Sequence, residues 1–304
     1  MLSGRRLKLP ADPQQRSDWR AAGVFLGPAL GLLALWFLFP IVDSFILSTQ
    51  RVDQFHYSDR TFIGLQNFTQ LVHDPAFRHS LEVTLVFVVF VVPAQTVLAL
   101  VIAAILQSVG AGRAVFRTAF FVPYMTSTVA VTTVFMKLFV AGGPLASLAA
   151  HLHIPDTTWY ADVHLALPFL VVVYVYMFVG LYVITFISGM EGIPRDLYEA
   201  AEVDGATAVQ RFRLVTVPGL RPFLIFVVVA GLIQAVQIFD QAYVVSGGTI
   251  LGSPAGATST LVVFIYQEAF RLNALGYGSA AAVILLAIVF LGTLITRKLL
   301  PEQA

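Results

Sequence analysis

The side chains best placed to do chemistry are neutral hydrogen-bonding groups set in apolar runs. Gln234 and Gln237 lie three apart, so a helix would put them on one face, with Asp240 following on the same stripe. Tyr174, Tyr176, Tyr182 and Thr185 share a second run, and Gln95 and Thr96 follow Pro93 in a third. Amides and phenols donate and accept hydrogen bonds without charge, and Tyr adds a flat aromatic face. Sugars present the complementary surface of hydroxyls and C–H patches. The same groups equally serve as interhelical glue, and Tyr also favours membrane interfaces.

Bond-breaking chemistry lacks its parts. The Lys residues are Lys8, Lys137 and Lys298, none after Gly, so no phosphate-cradling loop of the G-x-x-x-x-G-K-[ST] form exists. His151 and His153 form an HxH pair with His164 nearby, a spacing more typical of solvated loop histidines than of a metal site. No nucleophile–base–acid set is evident, and the apolar runs lack the paired acids an intramembrane enzyme or an ion-coupled carrier would need.

The elements carrying these residues follow from composition. Of 304 residues, 58% are hydrophobic and 12% charged, against roughly 25% charged in a soluble domain, which excludes an ordinary soluble enzyme and a disordered chain. Uncharged stretches run over Ala22–Val42, Val83–Leu106, Thr118–Met136, Val163–Met190, Pro222–Phe239 and Leu272–Thr296. A membrane-crossing helix takes about 20 apolar residues, and Val83–Leu106 lacks the alternation of a barrel strand. The sequence therefore predicts an all-α integral membrane protein with six transmembrane helices. Two further uncharged gaps, Leu138–Pro155 and Gln241–Gln267, hold Gly and Pro clusters and read as loops, with the first residues of the second open to extending the fifth span toward Val245. The first span is too long, and lacks a cleavage site, to read as a removable signal. Of 18 Lys and Arg, 13 fall on the side of the termini and of the segment Glu191–Arg221, which predicts both termini in the cytoplasm. No basic stripe suits nucleic acid.

The expected organisation is a tail over 1–20, a first span over 21–48, an extracytoplasmic segment over 49–80 and a core over 81–299. Phe62 to Val72 fits a short interfacial helix. The segment 191–221 is the densest in charge, with Glu191, Asp196, Glu199, Glu202 and Asp204 against four Arg. Pro194 and the acids after it mark a helix start. Gly205 interrupts the pattern. Val209, Phe212 and Val215 then share a face, and Pro218 and Pro222 should end this second helix. The reading is helix, glycine bend, helix on the cytoplasmic surface.

Glu199-Ala200-Ala201, three residues, Gly205, nine residues, then Val215-Thr216-Val217-Pro218 resembles the EAA loop of bacterial ABC importer permeases, with Val where that pattern has Ile and Leu. Phe62-Ile63-Gly64-Leu65-Gln66-Asn67-Phe68, Phe116 to Tyr124 and Phe239 to Gly248 are similar to segments of the carbohydrate-uptake and glycerol-phosphate branch. The resemblance implies a type I importer transmembrane domain in a bacterial inner membrane. It implies a second homologous permease, two ATPase subunits and an extracytoplasmic solute-binding protein as partners, with ATP and Mg used by the ATPase and no cofactor on this chain. It assigns ATPase coupling to Glu199, Ala200, Ala201, Glu202, Asp204, Gly205 and Pro218. By similarity to the larger maltose permease subunit, it assigns the substrate pathway to Tyr174, Tyr176, Met177, Phe178, Leu181, Gln234 and Gln237. Uptake of a glycerophospho compound or an amino acid is the alternative within the family.

Overall fold

The computed structural model describes residues 13–53, 55, 59–108 and 112–299. Arg5, Arg6 and Lys8 of the basic tail lie outside the described residues, as do the side chains of Arg16, Arg20 and Arg113. Helix α1 (Pro13–Leu33) runs through a π-turn (Ala34–Leu38) into α2 (Phe39–Ser48). Every residue from Gly23 to Val42 faces outward. A two-stranded antiparallel ribbon follows, β1 (Gln50–Arg51) and β2 (Thr61–Phe62), with Gln50 opposite Phe62. The interfacial helix expected near Phe62 is α3 (Gln66–His73). Buried Asn67 pins it to the end of the first span by donating from Nδ2 to the carbonyls of Ser48 and Gln50 at 2.9 and 3.0 Å.

Helix α4 (Pro75–Ser108) begins well before Val83, so the 80/81 boundary falls inside it. The local reason is a start signal at Asp74-Pro75: the Asp74 carboxylate accepts the Ala76 N–H at 2.8 Å, and Pro75 has no N–H to leave unpaired. The third span departs further from expectation. The straight helix read over Thr118–Met136 is two helices, α5 (Arg113–Met125) and α6 (Thr128–Leu138), bent 99° at their junction. Thr126 and Ser127 are extended there (ψ 150° and 125°). A gap between charges measures apolar length, not straightness.

The chain continues through α7 (Pro144–Ala150) and α8 (Ala166–Glu191). On the charged segment 191–221 lie α9 (Arg195–Val203), α10 (Ala208–Arg211), a π-turn (Phe212–Thr216) and α11 (Val217–Gly219). Then come α12 (Arg221–Val236), α13 (Asp240–Val245), α14 (Leu261–Tyr266) and α15 (Leu275–Leu299). The gaps read as loops thus hold short helices α7, α13 and α14. Among the described residues, five helices or continuous helical runs are long and apolar enough to cross a membrane, six with the bent pair counted as one span.

Helix α8 is the axis of the bundle. Phe169, Leu170, Val183, Phe186 and Ile187 are fully buried along it. Helices α4, α5 and α12 pack around it. A Cβ on Gly180 would overlap the Phe120 carbonyl, so glycine lets α5 lie directly on α8. In lipid this close approach, rather than release of water, holds helices together.

Candidate functional site: a charged elbow and a mid-span polar cluster

The acidic segment forms an elbow capped on both arms. Pro194 precedes α9, and Asp196 sits in its first turn, where a carboxylate is favoured by the helix dipole. At its far end Gly205 adopts φ +76°. The Gly205 N–H donates to the Glu202 carbonyl at 3.0 Å and the Ala206 N–H to the Ala201 carbonyl at 2.9 Å. That pair of bonds is a Schellman cap, whose left-handed residue is ordinarily Gly. The second arm starts on a capping box: the Gln210 N–H donates to Thr207 Oγ1 at 3.3 Å, and the Thr207 N–H donates to Gln210 Oε1 at 2.7 Å. Arg211 closes the elbow on Glu202 at 2.7 Å. Tyr198 and Thr216 hydroxyls meet at 3.0 Å, tying α9 to the π-turn.

Two details of the expected second arm are corrected. Val209 faces out, 63% exposed, while Phe212 packs inward against the core. Pro218 stands one residue before the helical run 208–219 ends, as expected, whereas Pro222 stands in the opening turn of α12, where its missing N–H is harmless. Glu199, Ala200, Glu202, Asp204, Gly205 and Pro218 are exposed, and Ala201 is half-buried. Among them the elbow presents Leu197, Val203, Val209 and Leu214 to the outside, Val203 at 88% exposure. Behind it lies a cavity of about 750 Å³, lined by Gln107, Met190, Arg195 and Tyr198 among others. Glu191 there meets Arg117 of α5 at 3.6 Å.

The seven expected pathway residues do not share one pocket. Tyr174 and Met177 are buried at 2%. The Tyr174 ring packs edge-on against Phe87 at 5.3 Å and against Phe178 at 4.4 Å. Met177 Sδ takes the Gln241 amide at 3.8 Å. Tyr176 points the other way, half-exposed, against Phe135 and into an apolar cleft of about 650 Å³ between α4, α5 and α8. Phe178 and Leu181 are partly buried, and Gln237 is exposed. The shared stripe read for Gln234, Gln237 and Asp240 is broken. Helix α12 ends at Val236, and Phe239 (φ −138°, ψ −58°) turns the chain before α13 begins at Asp240.

What the fold does assemble is a cluster from three helices. The Tyr182 hydroxyl of α8 donates to Gln234 Oε1 of α12 at 3.3 Å. Gln95 of α4 lies against the bare face of Gly231, one turn before Gln234, where a Cβ would overlap its Nε2. The sequence displays Gln95 and Tyr182 as polar residues in apolar runs but not their convergence. Of the histidines, His151 bonds the Ser147 carbonyl at 3.0 Å, and no group of three or more His, Asp or Glu among the described residues is placed to hold a metal.

The described residues form a polytopic helical bundle with one broken span and a doubly capped elbow. Its fold is similar to that of a bacterial alginate ABC transporter chain, solved in complex with an alginate pentasaccharide-bound periplasmic protein, with a TM-score of 0.79 over 94% of this chain and 95% of that chain at 17% identity. Residues 95–303 match the binding-protein-dependent transport system inner membrane component family, and the chain belongs to that family. It is 29% identical to the arabinooligosaccharides transport system permease protein AraP of Bacillus subtilis, over 94% of this chain and 92% of that protein. It is 30% identical to the lactose transport system permease protein LacF of Rhizobium radiobacter, over 88% and 89%. The protein is a multi-pass membrane permease subunit of an ABC importer.

Proposed function

We propose that this permease carries a neutral sugar or short oligosaccharide into the cytoplasm by alternating access, with both termini on the cytoplasmic side. Its partners are a second homologous permease, two ATPase subunits that bind ATP and Mg, and an extracytoplasmic solute-binding protein. The observation that carries the reading is the elbow. An exposed helix pair with Leu197, Val203 and Val209 outward, stiffened by a Schellman cap, a capping box and the Glu202–Arg211 pair, suits a docking lever that transmits a push without folding up. Glu199, Glu202, Asp204 and Gly205 would contact the ATPase groove, and Pro218 would start the turn that returns the force to α12. The sugar assignment rests on the relatives named for arabinooligosaccharides and lactose, and on the uncharged character of Gln95, Tyr182 and Gln234. A phosphorylated or zwitterionic solute would call for fixed charges instead.

The test is reconstitution of the full transporter in proteoliposomes with labelled lactose, arabinotriose, glycerol 3-phosphate and histidine. Uptake of a sugar that requires both ATP and the binding protein is expected. Uptake without ATP, or of the charged solutes alone, would overturn the reading.

A further inference from the structure

Gln95 is fully buried, yet neither its amide nitrogen nor its amide oxygen has a hydrogen-bond partner. Leaving a buried polar group unpaired is costly, so a residue that only filled space here would be better as Leu or Met. Its neighbours also have bonding capacity left. The Tyr182–Gln234 bond is long at 3.3 Å and uses only the oxygen of the Gln234 amide. Gly231 removes the side chain that would otherwise stand between Gln95 and α12. Neutral groups from α4, α8 and α12 therefore converge on one point, two amides and a phenol, offering donors and acceptors together. A fixed cation or anion would satisfy only half of them. A hydroxyl, which donates and accepts at once, satisfies either end of an amide.

We propose that Gln95 is a specificity-determining arm of the solute path, whose amide binds a hydroxyl of the neutral sugar when α12 moves off α4. This rests on the sugar-importer reading above. Gln234, partly exposed, is the outer member of the cluster and Gln95 the inner one, so a solute held first at Gln234 meets Gln95 only after α12 has shifted. The role is distinct from packing, because packing would be served as well by an apolar side chain of the same volume.

The test uses the complete reconstituted transporter with whichever of labelled lactose or arabinotriose the native complex carries, and its set of monodeoxy analogues. Gln95→Leu should raise KM roughly three- to tenfold, the range expected for one lost hydrogen bond, with a smaller change in Vmax and undiminished assembly. One deoxy analogue should show no such difference between native and variant complexes, because the hydroxyl that Gln95 binds is already gone. Gln95→Asn, shorter by one methylene, should keep part of the preference for the parent sugar. A Gln95→Leu complex with native KM, or one in which every analogue suffers equally, would overturn the proposal. Should Gln95→Leu fail to assemble, Gln95→Asn decides the matter, and an unchanged preference there overturns it as well. Failure of the native complex to carry either sugar would instead sink the sugar reading itself.

Discussion

Replacing Gly205 by Val isolates the backbone conformation at the elbow. A Cβ at this position meets nothing within 4 Å in the folded chain, so packing is not disturbed. The whole penalty comes from φ +76°, which an L-residue enters at roughly 1–2 kcal/mol. Since about 1.4 kcal/mol is tenfold in an equilibrium, the capped elbow should be about five- to thirtyfold less favoured. Its loss releases two bonds together, Gly205 N–H to Glu202 and Ala206 N–H to Ala201. The assay is solute imported per ATP hydrolysed in proteoliposomes, alongside membrane insertion and ATPase copurification. Gly205→Val should insert normally yet lose most of its coupling. Gly205→Asn should stay near native, because Asn tolerates the left-handed region. Native coupling in the Val variant refutes the reasoning. So does equal damage from Asn and Val, since bulk at the docked surface, not backbone angle, would then be what matters.

Gly180→Ala should be far more harmful than a helix-favouring change ordinarily is. The new methyl overlaps the Phe120 carbonyl, and overpacking of this kind costs about 1–3 kcal/mol. Lower yield and a lower apparent unfolding midpoint in detergent are expected, and an unchanged midpoint would count against close α5–α8 contact. Glu268 offers a pH test outside the membrane spans. Burial first, and then the nearby Asp74 carboxylate, raise its pKa. A raised carboxyl favours the folded state while protonated, and that stability is lost as pH rises through the raised value. Glu268→Gln should therefore raise the unfolding midpoint at neutral pH, and the gain should vanish in acid below about pH 4, where the carboxyl is protonated folded or unfolded. A gain that is constant with pH would refute the assignment.

The features legible in the sequence are those written in local chemistry. Charge-free runs locate the spans because lipid excludes charge over a fixed thickness. The elbow is legible because caps are local: Gly205, and Thr207 three residues before Gln210, are spelled out in order. The bend between α5 and α6 and the turn after Val236 escaped a reading by charge-free runs, because such a count is blind to the uncharged polar residues Thr126, Ser127 and Gln237 that stand at the breaks. The Gln95–Tyr182–Gln234 cluster was also out of reach. Its members are separated by 87 and 52 positions, and only the packing of α4, α8 and α12 brings them together. The π-turn at Phe212–Thr216 was out of reach as well, because its residues are ordinary α-helix formers and only the backbone bonding distinguishes it.

Helix α4 has 34 residues, about 51 Å at 1.5 Å per residue, whereas the hydrocarbon layer is about 30 Å thick. Its outer end is bolted to distant parts of the chain. Asp74 takes the Tyr277 hydroxyl at 2.8 Å, Ser80 meets Ser259 at 2.9 Å, and Thr84 takes the Leu261 N–H at 2.8 Å. Its inner stretch lines the cavity behind the elbow at Ala104 and Gln107. One continuous helix therefore ties the contacts with Tyr277, Ser259 and Leu261 to the cavity behind the elbow, so strain at either end reaches the other through a single element.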